Sequence, residues 1–136
     1  MSEIKKYQIE VYSSQEYISE IEKETNRFLQ KAEISKNLYG RIYLSLIEAA
    51  LNAIIHGNKK DPSKKIFITY EKTNKQINLS VKDMGEGFDY NNLPDSTSPR
   101  NIDKPNGRGL FIISNFCNDL SFNDKGNEIK ITFRLK

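Results

Sequence analysis

A carboxylate and a carboxamide interrupt an otherwise apolar run in Leu44-Ser45-Leu46-Ile47-Glu48-Ala49-Ala50-Leu51-Asn52-Ala53-Ile54-Ile55-His56-Gly57. On a helix, Glu48 and Asn52 lie nearly above one another on the same face. An ionised carboxylate among Leu, Ile and Ala is costly unless solvent, a partner or a ligand compensates it. The small Ala49, Ala50 and Ala53 leave room beside such a helix. A polar stripe that simply touches water would look the same. In a second segment, Val81-Lys82-Asp83-Met84-Gly85-Glu86-Gly87-Phe88, an acid ends an apolar strand and two glycines follow. Glycines allow a tight turn that a ligand can approach closely, and the carboxylate could accept from an exocyclic amine such as adenine carries. A plain chain-reversing Asp-Gly turn has the same composition. In the third segment, Asn106-Gly107-Arg108-Gly109-Leu110-Phe111, glycines lead into a helix. The unpaired N–H groups and positive dipole end there suit an anion, and Arg108 or Lys104 could add charge. Ordinary loop-to-helix junctions share this pattern.

The elements that must position these residues follow from periodicity and turn chemistry. Residues 4 to 12 form an opening strand, and Ser13-Ser14 caps a helix over about 15 to 31, where Ile18, Ile21, Phe28 and Leu29 recur at helical spacing. Ser35 caps a second helix that runs to about His56 and ends at Gly57-Asn58. Residues 66–70 and 77–81 alternate across a polar 72–76 turn, which predicts a hairpin. The Gly-, Pro- and Asn-rich stretch to about residue 108 is a long loop, and loops of that kind are usually functional lids. A short helix from Gly109 to Cys117 and two closing strands, at 120–122 and 129–135 around a 123–127 turn, complete the chain. Strands and helices do not alternate in this order. It predicts an α+β two-layer sandwich of a mostly antiparallel sheet and about three helices.

Composition bounds the possibilities. A chain of 136 residues suits one domain, 1–136, with a mobile lid at about 88–108. Hydrophobic content of 37% with 29% charged residues is that of a globular protein. No apolar run approaches the ~20 residues of a membrane helix. The first residues, Met1-Ser2-Glu3-Ile4-Lys5-Lys6, lack a signal-peptide stretch, so the cytoplasm is the expected compartment. Cys117 is the only cysteine and reads as a small core residue; with a single His there is no zinc cluster. A net charge of +3, dispersed along the chain, predicts no direct nucleic-acid or membrane partner. Lys59-Lys60 and Lys64-Lys65 read as a solvated rim. His56, at the end of its helix, complements the helix dipole.

In order and separation the three segments resemble the N, G1 and G2 boxes of the GHKL ATP-binding superfamily. The set is Glu48-Ala49-xx-Asn52-Ala53-xx-His56-Gly57, Asp83-x-Gly85-x-Gly87-Phe88 and Gly107-x-Gly109-Leu110. The whole chain looks like the anti-sigma-factor serine kinases of that superfamily. The resemblance implies ATP and Mg²⁺ as cofactors, with Asn52 as the magnesium ligand and Asp83 as the adenine-reading acid. It implies that Gly85, Gly87, Gly107 and Gly109, with Leu110, frame base and phosphates, and that Glu48 is the catalytic base. The family's arginine before the second glycine box is absent, so Lys104 or Arg108 would meet the γ-phosphate. Gly126-Asn127-Glu128 stands where the family often has Gly-Thr supporting the adenine aspartate, which leaves open whether Asn127 fills that role.

The implied function is a protein-serine kinase that phosphorylates a small antagonist protein and sequesters a sigma factor, with homodimerisation also implied. Two alternatives stand beside it: a non-catalytic, ATP-gated protein-binding regulator, and a nucleotide-independent adaptor with a decayed site. The chain carries no Walker A run, no His-Arg-Asp loop and no dinucleotide fingerprint.

Overall fold

The computed structural model describes residues 5–86 and 107–135. Gly87, Lys104 and nearly all of the expected lid lie outside the described residues. Five strands form: β1 (Lys5–Tyr12), β2 (Lys65–Lys72), β3 (Gln76–Lys82), β4 (Asp119–Phe122) and β5 (Glu128–Arg134). In β2, β3 and β5 every second residue is buried, the signature of a sheet with one covered face. All neighbours are antiparallel, in the order β1-β2-β3-β5-β4. The register lines up two apolar rungs across all five strands. One is Tyr7, Tyr70, Leu79, Ile131 and Leu120; the other is Ile9, Ile68, Val81, Ile129 and Phe122. A slip of one residue would turn every rung toward solvent.

Three helices cover that face. Ser14 accepts from the Glu16 N–H and starts a 3-10 turn at Gln15–Tyr17, which leads into α1 (Ile18–Lys31). Ile21, Phe28 and Leu29 of α1 are buried. α2 (Lys36–Asn52) is the central helix, and α3 (Gly107–Phe116) packs beside it. The α+β sandwich expected from the sequence is thus the observed fold, an open five-stranded antiparallel sheet with three helices.

Three details differ from expectation. Ser35 makes no side-chain cap bond; its carbonyl alone accepts from Leu38 and Tyr39. Regular α geometry stops at Asn52, and Ala53–Gly57 forms a π-helical turn in which the Asn58 N–H reaches the Ala53 carbonyl at 2.8 Å. The helical run Lys36–Gly57, 22 residues, is also long and apolar enough by length and composition to cross a membrane. That corrects the expectation that no such run exists. The reason for its apolarity is the core: Ile42, Leu46, Ile47, Ala49, Ala50, Ala53 and Ile54 of this run are all buried.

Candidate functional site

The C-terminal end of α2 and its π-helical turn pass over the end of β3, and a cavity of about 220 Å³ opens between them. Ala49, Asn52, Ala53 and His56 form one wall, Asp83 and Gly85 another, and Leu110 of α3 a third. Asn127 and Glu128, where β5 begins, close the far side, and Lys59 and Lys64 stand on the rim. Wide helical turns recur at functional sites because they redirect side chains that a regular helix would carry past. The chain leaves this turn under strain. Lys59 and Lys60 take φ of 53° and 60°, and the Lys60 N–H closes onto the Ile54 carbonyl at 2.7 Å.

Asp83 is held on all sides. Its N–H donates to the Asn127 carbonyl (2.9 Å), and its own carbonyl accepts from Asn127 Nδ2 (3.0 Å). Its Oδ1 accepts from the Gly85 N–H at 2.7 Å, so the carboxylate folds back over its own turn. Only 9% of the residue is exposed. Burial pushes its pKa up, against the Gly85 amide and the more distant charges of Lys125 and Lys64. A buried carboxylate of this kind is a ready acceptor for an amine donor arriving in the cavity.

Close approach explains the glycines. A Cβ on Gly57 would overlap the Asp83 carboxylate, and one on Gly85 would overlap the Gly57 carbonyl. A Cβ on Gly109 would sit 2.9 Å from Asn52 Nδ2, so α3 approaches Asn52 only because that position is bare.

Of the residues singled out in the sequence, Asn52, Asp83, Gly85 and Leu110 share the cavity wall, and Gly109 abuts Asn52. Gly107 and Arg108 form the first turn of α3 with them. Glu48, half-buried one turn before Asn52, is not on the cavity wall. Gly87 and Lys104 fall outside the described residues. Sequence reasoning left three contributors unassigned. Gly57 was read as a helix terminator and as the last residue of its motif, with no contact to Asp83 assigned. Asn127 supports Asp83 through the main chain and not through the carboxylate. Asn58, 1% exposed, donates to Ser13 Oγ and to the Lys65 carbonyl (3.0 Å) and accepts from the Met84 N–H (2.8 Å). It ties the β1 exit, β2 and the Asp83 turn together, whereas local turn chemistry marked it only as part of the helix terminator.

A five-stranded antiparallel sheet under three helices, with a cavity between the central helix and a buried strand-end aspartate, is the frame of the site. The histidine kinase-like ATPase domain matches residues 11–133, and the chain belongs to that family. Among curated relatives, an anti-sigma F factor from Shouchella clausii (strain KSM-K16) is 36% identical over 77 residues, 54% of this chain and 51% of the relative. An anti-sigma F factor from Anoxybacillus flavithermus (strain DSM 21510 / WK1) is 33% identical over 85 residues, 60% of this chain and 57% of the relative. A serine-protein kinase RsbW from Bacillus cereus (strain AH820) is 30% identical over 96 residues, 65% of this chain and 59% of the relative. The matches thus span between 51% and 59% of these relatives' length.

Proposed function

We propose that the chain is an ATP-dependent protein-serine kinase and anti-sigma factor, acting on a small antagonist protein and sequestering a sigma factor. The observation that carries the proposal is the meeting of Asn52 and Asp83 on the wall of one cavity, with the bare Gly109 against Asn52, in a member of this family. The names of the relatives support the choice of partners and substrate class.

The described residues fit a magnesium–purine nucleotide. Asp83 supplies a buried acceptor for an exocyclic amine, and the cavity it shares with Asn52 exists because Gly57, Gly85 and Gly109 let the segments around both side chains approach closely. No group of three or more His, Cys, Asp or Glu able to hold a metal lies among the described residues. That suits a cation that needs few protein ligands, with the Asn52 side-chain oxygen as the proposed donor. When bound, Mg²⁺–ATP supplies the transferable phosphoryl group and the charge that neutralises its phosphates. The first turn of α3, Gly107 to Leu110, offers unpaired N–H groups to an anion. Glu48 is the proposed acceptor of the proton from the substrate serine.

Incubation of the chain with labelled ATP, Mg²⁺ and a candidate antagonist tests this, with phosphoserine as the expected product. Glu48→Gln should lower transfer by about a hundredfold or more and leave nucleotide binding intact. One observation favours a second reading, a regulator that binds ATP without transferring it: Glu48 is absent from the cavity wall. No transfer by the unaltered chain despite nucleotide binding would decide for that alternative, whereas transfer at the full rate by Glu48→Gln would keep the kinase and take the base role from Glu48.

A further inference from the structure

We infer that Asn123, which does not line the cavity, is a positioning residue that aims Asp83 by way of the Asn127 side chain; the inference rests on the adenine-nucleotide proposal above. Asn123 directly follows β4. Its Oδ1 accepts three main-chain N–H groups, from Gly126 (2.8 Å), Asn127 (3.0 Å) and Glu128 (3.2 Å). Its own main chain closes the same turn, donating to the Glu128 carbonyl and accepting from the Gly126 N–H, both at 3.1 Å. Gly126, at φ 81°, supplies the left-handed corner. One carboxamide oxygen therefore gathers the whole β4–β5 turn.

With its oxygen committed, the Asn123 amide can point only its nitrogen outward. Nδ2 donates to Asn127 Oδ1 at 2.7 Å. A carboxamide has one accepting end and one donating end. Because the accepting end of Asn127 faces Asn123, its donating end must face the other way, onto the Asp83 carbonyl at 3.0 Å. Asn127 is only 7% exposed, so water does not readily replace either partner. The Asp83 N–H to Asn127 carbonyl bond makes the attachment two-point, and the Asp83 carboxylate is then locked over Gly85. The polarity of one amide outside the cavity thus passes through a second amide to the main chain of the acid inside it. The ligand property this controls is the amine at the purine's edge: a firmly aimed carboxylate accepts from an amino group and repels the oxo group that guanine carries there.

Asn123→Asp separates the relay from the turn. A carboxylate still accepts the three N–H groups but cannot donate to Asn127. In the nucleotide-free protein, amide exchange at Asp83 and Gly85 should quicken by about tenfold, while exchange at the β2–β3 pairing stays as before. Mg²⁺–ATP affinity, read by calorimetry, should fall by about five- to tenfold, the scale of one net hydrogen bond, and the preference for ATP over GTP should narrow. Asn127→Ala cuts the second link and should match these losses, and the double variant should be no weaker than Asn127→Ala alone. If Asn123→Asp fails to fold, Asn127→Ala carries the test by itself. Wild-type exchange at Asp83 and Gly85 in the folded variants, or multiplicative losses in the double variant, would overturn the relay. Absence of any Mg²⁺–ATP heat from the unaltered chain would instead overturn the nucleotide proposal and the relay's role in binding with it.

Discussion

Asp83 is a carboxylate kept where a carboxylate is least comfortable. Burial raises its pKa above the ordinary 3.8, so over the interval between the two values the native state holds a proton that the unfolded chain has released. Stability from this group is therefore fully present below 3.8 and is lost as pH rises through the raised value. Asp83→Asn should raise the thermal midpoint at neutral pH, with the gain vanishing toward about pH 3, and should abolish adenine-nucleotide binding. Scanning calorimetry across that range checks the first part, and a lower neutral-pH midpoint for the variant would contradict it. Gly57→Ala makes the reverse case, because its methyl must displace the Asp83 carboxylate. A cost of about 1–3 kcal/mol and at least a tenfold loss of nucleotide affinity are expected, measurable by urea unfolding and titration.

The strands and helices were legible because each has a period. Alternation in 66–70 and 77–81 marked β2 and β3 to within a residue or two, helical spacing marked α1, and cap and terminator residues bounded α2. The π-helical turn at Ala53–Gly57 was not legible, since its residues suit an ordinary helix end. It brings Gly57 against both Asp83 and Gly85, contacts that form only once β3 is in place. Asn58 belongs to the same junction. Asn58→Ala removes the partner of the buried Ser13 hydroxyl and of the part-buried Met84 N–H and Lys65 carbonyl. A loss of about 3 kcal/mol is expected, together with faster exchange of the Met84 amide. Stability unchanged within error would show that the junction is held by something else.

At the scale of the whole molecule, a ligand that joins α2, β3 and α3 stabilises the native state by mass action. Mg²⁺–ATP at a hundred times its Kd should add about 2.7 kcal/mol to unfolding in urea, and a chelator should reduce that gain. No shift at saturating nucleotide would count against the cavity as the binding site. The sequence alone was enough for the sandwich and for the order of its elements, which follow from local periodicity and turn chemistry. That Asn52 and Asp83 belong to one site was implied by the family resemblance, and the structure puts both on one cavity wall. Only the tertiary structure decided that Glu48 stands off the cavity wall, that Gly57 lies against the Asp83 carboxylate, and that Asn123 and Asn127 are hydrogen-bonded in a chain to the Asp83 carbonyl. The Gly57–Asp83 and Asn127–Asp83 contacts join residues 26 and 44 positions apart, and a side chain's direction across that gap depends on how sheet and helices pack, which no local pattern encodes.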